Sequence, residues 1–358
     1  MVEMMEESLL KKVAQTMPEL PETKDPLAVP VLLQGTAKQK RQLTYIINEM
    51  CKSEAGQRVI ETALNNDYTF LFDKTIGSTY GYADSADEVC ALNPNYSAAD
   101  LITTIAHELR HVQQFDSEIY DECSAYSANV KSNLMKTRVM EADAEAYGCL
   151  VSWQLKEQGA PEAWQTFSRD FPEVAKPFET AMIENEGRSD QTDKARTAAF
   201  LGWFDNLERR ESYDDGYVAE VERIGEKHLD KSLKNYKPER FILEMCHDDG
   251  AVYFSEDFAL IGQGKYVSIG AENKEKLKKV FDERTQMTGK KAETSLDKLP
   301  VAVLEAKDAP VAKSAGAKAA ALAARQDTAA QKIRSARQEK ESTQKTVMLY
   351  AQNKRKSR

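Results

Sequence analysis

The chain has 358 residues, of which 41% are hydrophobic and 30% charged, and its formal net charge is -9 at pH 7. This apolar content can build a hydrophobic core, which excludes a chain that is disordered throughout. The sequence contains no run of ~20 mostly apolar residues that could span a bilayer, and it begins with an acidic segment where a signal peptide is basic. We therefore expect a cytoplasmic protein without a membrane span.

The charge is divided unevenly along the chain. Residues 305–358 carry 13 Lys and Arg against 5 Asp and Glu, a balance of +8, whereas the preceding 304 residues carry 36 against 53, a balance of -17. We predict a folded acidic body and a disordered or solvated Ala-, Lys- and Arg-rich basic tail over residues 300–358. The tail could contact an acidic partner or only increase solubility. Nucleic acid is not an expected partner, because no aromatic residues alternate with the basic ones.

Five cysteines are spread along the chain, and none belongs to a CxxC pair: Cys51, Cys90, Cys123, Cys149 and Cys246. An odd number without close spacing argues against a disulfide framework and against a cysteine-bound zinc ion. The cysteine pattern therefore indicates a reducing compartment.

The predicted elements are mainly helices. Helical periodicity and capping residues predict helices over residues 36–51, 53–64, 97–115, 124–134, 138–155, 162–167, 195–206, 217–228 and 274–287. Aromatic and β-branched runs predict strands over residues 68–72, 88–92, 241–245, 252–254 and 266–269. Between the first two strands, residues 77–84 are predicted to form turns.

The order of these elements predicts an α+β fold that is mostly helical. A small, mostly antiparallel sheet within residues 68–92 is expected to pack on the helix that begins near residue 97. The predicted regions are a loosely ordered lead-in (1–35), a core that contains the sheet (36–160), a mainly helical extension that completes a cleft (161–299) and the basic tail.

The helix predicted over residues 97–115 contains His-Glu-Leu-Arg-His at residues 107–111, which is the HExxH pattern. Residues four apart lie on one face of a helix, so the imidazoles of His107 and His111 can converge on one metal ion. Apolar residues form a separate stripe on the same helix: Ile102, Ile105, Leu109 and Val112. The helix can therefore pack by one face and present a metal site on the other.

A second, acidic helix supplies candidates for a third ligand. Residues 140–147 read Met-Glu-Ala-Asp-Ala-Glu-Ala-Tyr, so Glu141 and Glu145 lie one turn apart on one face. We predict that Glu141 is the third metal ligand and that Glu145 holds the other ring nitrogen of a ligand histidine. Asp143 is a competing ligand because it is acidic and close in sequence; otherwise it belongs to the surroundings of the ligands.

The HELRH motif and the E-A-D-A-E segment that follows resemble the gluzincin branch of zinc metallopeptidases, in which a glutamate on a later helix completes the HExxH site. The resemblance covers residues 65–155 and includes the strand and Asn-Pro turn before the motif. The chain departs from the family in having Glu145 where aspartate is usual. It is also similar to an uncharacterised group of bacterial metallopeptidase-like proteins.

This resemblance implies a zincin-like fold and a zinc peptidase that acts on peptides or proteins. His107, His111 and Glu141 would bind Zn²⁺, and water would occupy the fourth position. Glu108 would act as the general base and then pass the proton to the leaving amine. The strand Val89–Leu92 would form a sheet edge that pairs with an extended substrate.

The sequence leaves two questions open. The residue that stabilises the developing oxyanion could be any of four candidates: Tyr126, Tyr147, His228 and His247. The function also has two alternatives, which are a catalytically inert zincin-like binding module and a bacterial effector protease.

Overall fold

The computed structural model describes residues 19–224, 233–248, 250–289 and 295–302. Within these ranges the chain has the predicted α+β class and is mostly helical, with one small sheet and a short β-hairpin. No helix in the same ranges is both long and apolar enough to cross a membrane. Residues 1–18 of the predicted lead-in and residues 303–358 of the predicted tail lie outside the described residues.

The first half of the described chain contains the sheet and the two helices that carry the HExxH motif and Glu141. Its elements are β1 Leu32–Leu33, α1 Ala37–Met50, α2 Glu54–Asn65, β2 Thr69–Phe72, β3 Gly81–Asp84, β4 Val89–Leu92, α3 Ala98–Phe115, α4 Glu118–Glu122 and α5 Val130–Glu157. The second half contains α6 Glu162–Asp170, α7 Pro172–Glu184, α8 Gln191–Trp203, α9 Leu207–Ile224, α10 Pro238–Met245, β5 His247–Asp248, β6 Ala251–Val252 and α11 Ala271–Thr288. Three short 3₁₀ helices complete it, at Phe258–Gly262, Gly264–Tyr266 and Leu296–Lys298.

The first four strands form a mixed sheet in the order β1-β2-β4-β3. β1 is parallel to β2 and β2 is parallel to β4, whereas β3 and β4 are antiparallel. The prediction of a mostly antiparallel sheet is therefore wrong. The sheet is mixed because β3, which lies in the segment predicted as turns, forms a hairpin with β4 and leaves the other side of β4 free to pair with β2.

The strand at the sheet edge beside α3 is β3. β4 has a neighbour on each side, so the prediction that Val89–Leu92 forms an edge is also wrong. Gly81 lets β3 approach both β4 and α3, because a Cβ atom at this position would lie 2.7 Å from the carbonyl oxygen of Ala91 and 2.7 Å from Cγ2 of Thr104. The edge strand is thus held against the helix that carries the HExxH motif.

Helix α3 begins where the sequence predicts. The Ser97 hydroxyl accepts a hydrogen bond from the backbone N–H of Asp100, and the Asp100 carboxylate accepts one from the backbone N–H of Ser97 at 3.0 Å. This reciprocal pair satisfies two donors near the helix start. The apolar stripe predicted on this helix is buried, and Ile105 and Leu109 are fully inaccessible. The cap and the buried stripe together fix the direction in which the motif faces.

Helix α5 is one continuous helix of 28 residues, whereas two helices are predicted over residues 124–134 and 138–155. It begins later than predicted because the Asn129 side chain caps it by accepting the backbone N–H of Ser132 at 2.9 Å. Residues 138–153 are all buried, so α5 is the central helix of the fold. Gly148 lies at its contact with α3, where a Cβ atom would be 3.4 Å from the Thr103 carbonyl oxygen, at the limit of ordinary van der Waals contact.

Helices α6 to α9 pack on α5, and α6 and α9 border a cleft beside the HExxH helix. An aromatic cluster anchors the first two of them, with ring centroids 4.9 Å apart for Trp153 and Trp164 and 5.8 Å apart for Trp153 and Phe178. One continuous set of buried side chains includes residues from both predicted regions, 36–160 and 161–299. The boundary between these regions stays a prediction.

The predicted strands of the second half are mostly not strands. Residues 241–245 belong to α10, because Pro238 lies in its first turn and Phe241, Ile242 and Met245 are buried at helical spacing. Residues 252–254 contribute only Val252 to a strand, in β6. Residues 266–269 contain the end of a 3₁₀ helix and an isolated β-bridge. The predicted helix over residues 274–287 is found within α11.

Candidate metal centre

Three side chains from two packed helices converge on one point. His107 and His111 extend from α3 and Glu141 from α5, and one donor atom of each lies within 4.8 Å of the others. The contact between α3 and α5 brings the two motifs together. His111 and Glu141 are buried, whereas the side chain of His107 is 12% exposed. The point where the donors meet is therefore reached from the His107 side.

The distances between the donor atoms fit a single metal ion. The Nε2 atoms of the two histidines are 3.0 Å apart, and Glu141 oxygens lie 3.5 Å from Nε2 of His107 and 3.6 Å from Nε2 of His111. Ligands at ~2.0–2.1 Å from a tetrahedral ion are ~3.3 Å from one another. Oε2 of Glu141 is buried and makes no hydrogen bond of ordinary length among the described residues, so its lone pairs are available to a cation.

The electrostatics of the site also favour a cation. Burial opposes protonation of His107, but Glu141, Glu145 and Glu108 outweigh burial and raise its pKa to about 9. Burial likewise opposes the charge of Glu141, but His111 and His107 hold the pKa of its carboxyl well below the usual range. The carboxylates of the site thus stabilise a positive charge between them, and a bound divalent cation would supply that charge.

The ring of His111 is oriented by a residue that the sequence analysis missed. Nδ1 of His111 lies 2.8 Å from Oε1 of Gln114, one turn further along α3. The amide nitrogen of Gln114 donates to the Met140 carbonyl oxygen at 3.0 Å and to Oδ2 of Asp143 at 2.7 Å. Gln114 therefore connects His111, a candidate ligand, to α5.

Asp143 lies away from the group of three donors. Its carboxylate accepts hydrogen bonds from Nε of Arg110 at 2.6 Å, from Gln114 and from the Tyr253 hydroxyl at 2.8 Å. All four of these side chains are buried. The residue predicted as a competing ligand thus contacts the residues that surround the centre.

The Glu145 carboxylate lies beside the ring of His107, the other candidate ligand histidine. Its Oε2 is 3.7 Å from Nδ1 of His107, the ring nitrogen that does not face Glu141. Burial raises the pKa of the Glu145 carboxyl although His107 acts in the opposite direction. Glu145 therefore places a carboxylate behind the ring of His107, beyond direct hydrogen-bond distance.

Glu108 is buried between α3 and the edge strand. Its Oε2 accepts the backbone N–H of Ala83 in β3 at 3.0 Å, and burial raises the pKa of its carboxyl. Glu108 and His107 open onto a cleft that is bordered by β3, α3, α6 and α9 and includes Phe167 and Arg209. The carboxylate is thus next to the candidate metal ligands, outside their group, and at the wall of the cleft.

Tyr213 on α9 is a second cleft residue that the sequence analysis missed. It lines the cleft together with His107 and Glu108. Burial, and then the negative charges of Glu141 and Glu145, raise the pKa of its hydroxyl well above the usual value, so the hydroxyl keeps its proton. No local motif marks Tyr213, because it reaches the site only through the packing of α9 on α5.

The four predicted oxyanion candidates are placed elsewhere or lie outside the described residues. Tyr147 is buried, and its hydroxyl donates to the carbonyl oxygen of Ala55 at 3.0 Å. Tyr126 and His247 are not among the residues that line the cleft. His228 lies outside the described residues.

Comparison with known proteins places these features in a family. The family profile described as "Putative metallopeptidase family (DUF6782)" matches residues 19–253, more than half of the chain. The matched segment includes the HExxH helix, the helix with Glu141 and the helix with Tyr213. No curated protein and no solved structure gives a match. Because the family profile matches this large a part of the sequence, the chain belongs to this metallopeptidase family.

Proposed function

We propose that the protein is a zinc-dependent peptidase that hydrolyses peptide bonds. The observation that carries this proposal is the convergence of His107, His111 and Glu141, with Glu108 beside them on an accessible cleft. Two imidazoles and one glutamate are a known ligand set of catalytic zinc sites, which keep a further position for water. A purely structural site would need no additional carboxylate at the cleft.

Glu108 is the proposed general base. When bound, zinc would acidify a water molecule and polarise the scissile carbonyl. Glu108 accepts the proton of the attacking water and then donates it to the leaving amine. Burial raises the pKa of the Glu108 carboxyl, which brings this carboxyl closer to the range in which it can both accept and release a proton near neutral pH.

Tyr213 is the proposed donor to the oxygen that becomes negative when the peptide carbonyl is attacked. Its hydroxyl lies at the cleft wall and keeps its proton because of burial and the nearby charges of Glu141 and Glu145. Such a donor acts mainly on the transition state, where the charge develops. This assignment replaces the four candidates taken from the sequence.

The edge strand β3 is the proposed docking site for an extended peptide. Within the described ranges, β3 pairs with a strand only on its β4 side. It packs against α3, and the Ala83 N–H donates to Glu108. A peptide that adds to this edge would pass beside Glu108 and His107, with its main chain held by hydrogen bonds. The substrate class is therefore peptides or protein segments in extended conformation.

The decisive experiment combines metal content with a variant of the base. The wild-type protein should retain about one zinc ion per chain. Glu108→Gln should retain zinc and lose about 10²- to 10⁴-fold in peptide hydrolysis, because the ligands stay and the base is removed. Glu61→Gln alters an exposed glutamate of α2 and should change neither the zinc content nor the rate of hydrolysis.

Full turnover by Glu108→Gln, or a wild-type protein that takes up no zinc, would refute the proposal. Zinc binding without turnover of any peptide would support the inert binding module.

A further inference from the structure

We propose that Gln114 is a positioning residue that keeps the proton of the neutral His111 ring on Nδ1 and thereby directs the Nε2 lone pair to the metal. The metal part of this statement rests on the proposed function, whereas the position of the proton does not. The direct observation is the 2.8 Å contact between Nδ1 of His111 and Oε1 of Gln114. Both side chains are buried, so water does not compete for this contact.

The orientation of the Gln114 amide follows from its other two partners. Its nitrogen lies 3.0 Å from the Met140 carbonyl oxygen and 2.7 Å from Oδ2 of Asp143, and both of these atoms are acceptors. A reversed amide would place its oxygen against a carbonyl and a carboxylate and lose both hydrogen bonds. Oε1 must therefore face His111, and it can only accept, so the hydrogen atom belongs to Nδ1 of the imidazole.

Asp143 makes this arrangement rigid because its own partners hold it in place. Nε of Arg110 donates to Oδ2 at 2.6 Å, Nη2 of Arg110 donates to Oδ1 at 3.2 Å, and the Tyr253 hydroxyl donates to Oδ1 at 2.8 Å. Arg110 is in turn bound to the carbonyl oxygens of Met245 and His247, at 3.0 and 2.9 Å. The chain of contacts from His111 thus ends in the backbone between α10 and β5.

The consequence for the metal centre is a fixed lone pair. With the proton on Nδ1, Nε2 of His111 is the only unprotonated ring nitrogen, and it faces Nε2 of His107 at 3.0 Å and Oε1 of Glu141 at 3.6 Å. The opposite tautomer would place a hydrogen atom where the ion binds. Partners of this kind typically change metal affinity about 10- to 100-fold when they are removed.

The first experiment reads the proton directly in the full-length, metal-free protein. The chain has only four histidines, so two-bond ¹H–¹⁵N NMR of ¹⁵N-histidine protein can assign each ring at the alkaline limit of a pH series. Wild-type His111 should carry its proton on Nδ1. The Gln114→Met variant keeps the side-chain length and removes the acceptor, and its His111 should become a mixture of both tautomers.

Gln113→Met is the matched control. It removes the neighbouring amide, which accepts from Nη1 of Arg110 at 2.7 Å and donates to Oγ1 of Thr62 at 2.8 Å but does not contact His111. This variant should retain the wild-type tautomer. Zinc affinity, measured by competition with a chromophoric chelator, should fall about 10- to 100-fold in Gln114→Met and stay within about twofold in Gln113→Met.

Gln114→Glu separates positioning from packing. The new carboxylate can still accept from Nδ1 of His111, but it also lies against the carboxylate of Asp143. The free energy of unfolding should therefore fall, while the proton of His111 stays on Nδ1. If the neutral His111 ring of the wild-type protein carries its proton on Nε2, the proposal is overturned. This result does not depend on whether the variants fold. An unchanged tautomer or an unchanged zinc affinity in Gln114→Met would also overturn it. If the wild-type protein takes up no zinc, the proposed function fails, and the NMR experiment still decides where the proton lies.

Discussion

Oε2 of Glu145 lies 3.7 Å from Nδ1 of His107, on the side of the ring opposite to the ligand group. The other ring nitrogen lies 3.5 Å from Glu141. Because the two glutamates are one turn apart on α5, one helix face provides both a candidate ligand and a carboxylate behind another candidate ligand. The spacing of the E-A-D-A-E segment therefore places one carboxylate near each ring nitrogen of His107.

Removing the Glu145 carboxylate behind His107 should weaken zinc binding. We expect Glu145→Ala to raise the zinc dissociation constant about 10- to 100-fold, because the ring of His107 loses its orienting partner. Glu145→Gln should have a smaller effect, since its amide oxygen can still accept from Nδ1. Competition with a chelator measures the zinc dissociation constant of each variant. Glu157→Ala, at the exposed end of α5, is the control. Wild-type affinity in Glu145→Ala would exclude Glu145 from the support of the site.

Removing the Tyr213 hydroxyl should slow hydrolysis without loss of metal. We expect Tyr213→Phe to lower kcat about 10²- to 10³-fold with little change in KM, because the lost hydrogen bond acts on the transition state. Zinc content should stay that of the wild type. Tyr217→Phe is the matched control, since Tyr217 is buried one turn further along α9 and does not line the cleft. Equal rates in the two variants would remove Tyr213 from the mechanism.

The identities of the candidate ligands could be predicted because they depend on local geometry. A spacing of four residues within one helix places His107 and His111, and separately Glu141 and Glu145, on common faces. The structure brings the first three of these together. Tyr213 could not be predicted, because its place at the cleft depends on how a distant helix packs. Gln114 follows His111 by three residues on the same helix, so the sequence spacing could have indicated that their side chains meet. Its role as a hydrogen-bond acceptor for His111 could not be predicted, because that role depends on the partners that orient its amide.

The fold shows the same division between local and long-range information. The cap at Ser97 is local, and α3 begins there as predicted. The strand order is not local: the parallel pairing of β2 with β4 depends on the hairpin made by Gly81–Asp84, a segment whose glycine and aspartate suggest turns. Residues 241–245 form a short apolar run, for which periodicity alone does not separate strand from helix.

A buried ion pair between α5 and α9 should make a large contribution to stability when only one partner is removed. Nε and Nη2 of Arg138 donate to the two carboxylate oxygens of Asp214 at 3.1 and 2.6 Å, and both side chains are 1% exposed. Arg138→Met should destabilise the protein by about 3–5 kcal/mol in urea unfolding, because a buried carboxylate loses its partner. The double variant with Asp214→Leu should recover part of that loss. Equal stability of the single and double variants would contradict this account.

Asp248 joins the two arginines next to the metal-site network. Its Oδ1 accepts from Nη1 of Arg110 at 3.0 Å, and its Oδ2 is paired with Nη1 of Arg196. Partial burial opposes the carboxylate charge, but Arg196 and Arg110 outweigh burial and hold the pKa of Asp248 below its ordinary value. The carboxyl is therefore more acidic in the folded protein than in the unfolded chain.

This pKa shift sets the sign of a pH-dependent stability. A carboxyl with a lowered folded-state pKa contributes stability above its unfolded pKa of ~3.9, and the contribution is lost as the pH falls through the folded value. We expect Asp248→Asn to lower the free energy of unfolding by about 1–3 kcal/mol at pH 7, because two buried guanidinium groups lose a charged acceptor. The difference from the wild type should shrink below about pH 4, where the wild-type carboxyl also becomes protonated.

Urea unfolding across pH 3 to 8 measures this difference. The control is Asp282→Asn, which replaces an exposed carboxyl of α11 and should show no such trend. A difference that is constant across the series would mean that Asp248 acts through packing alone.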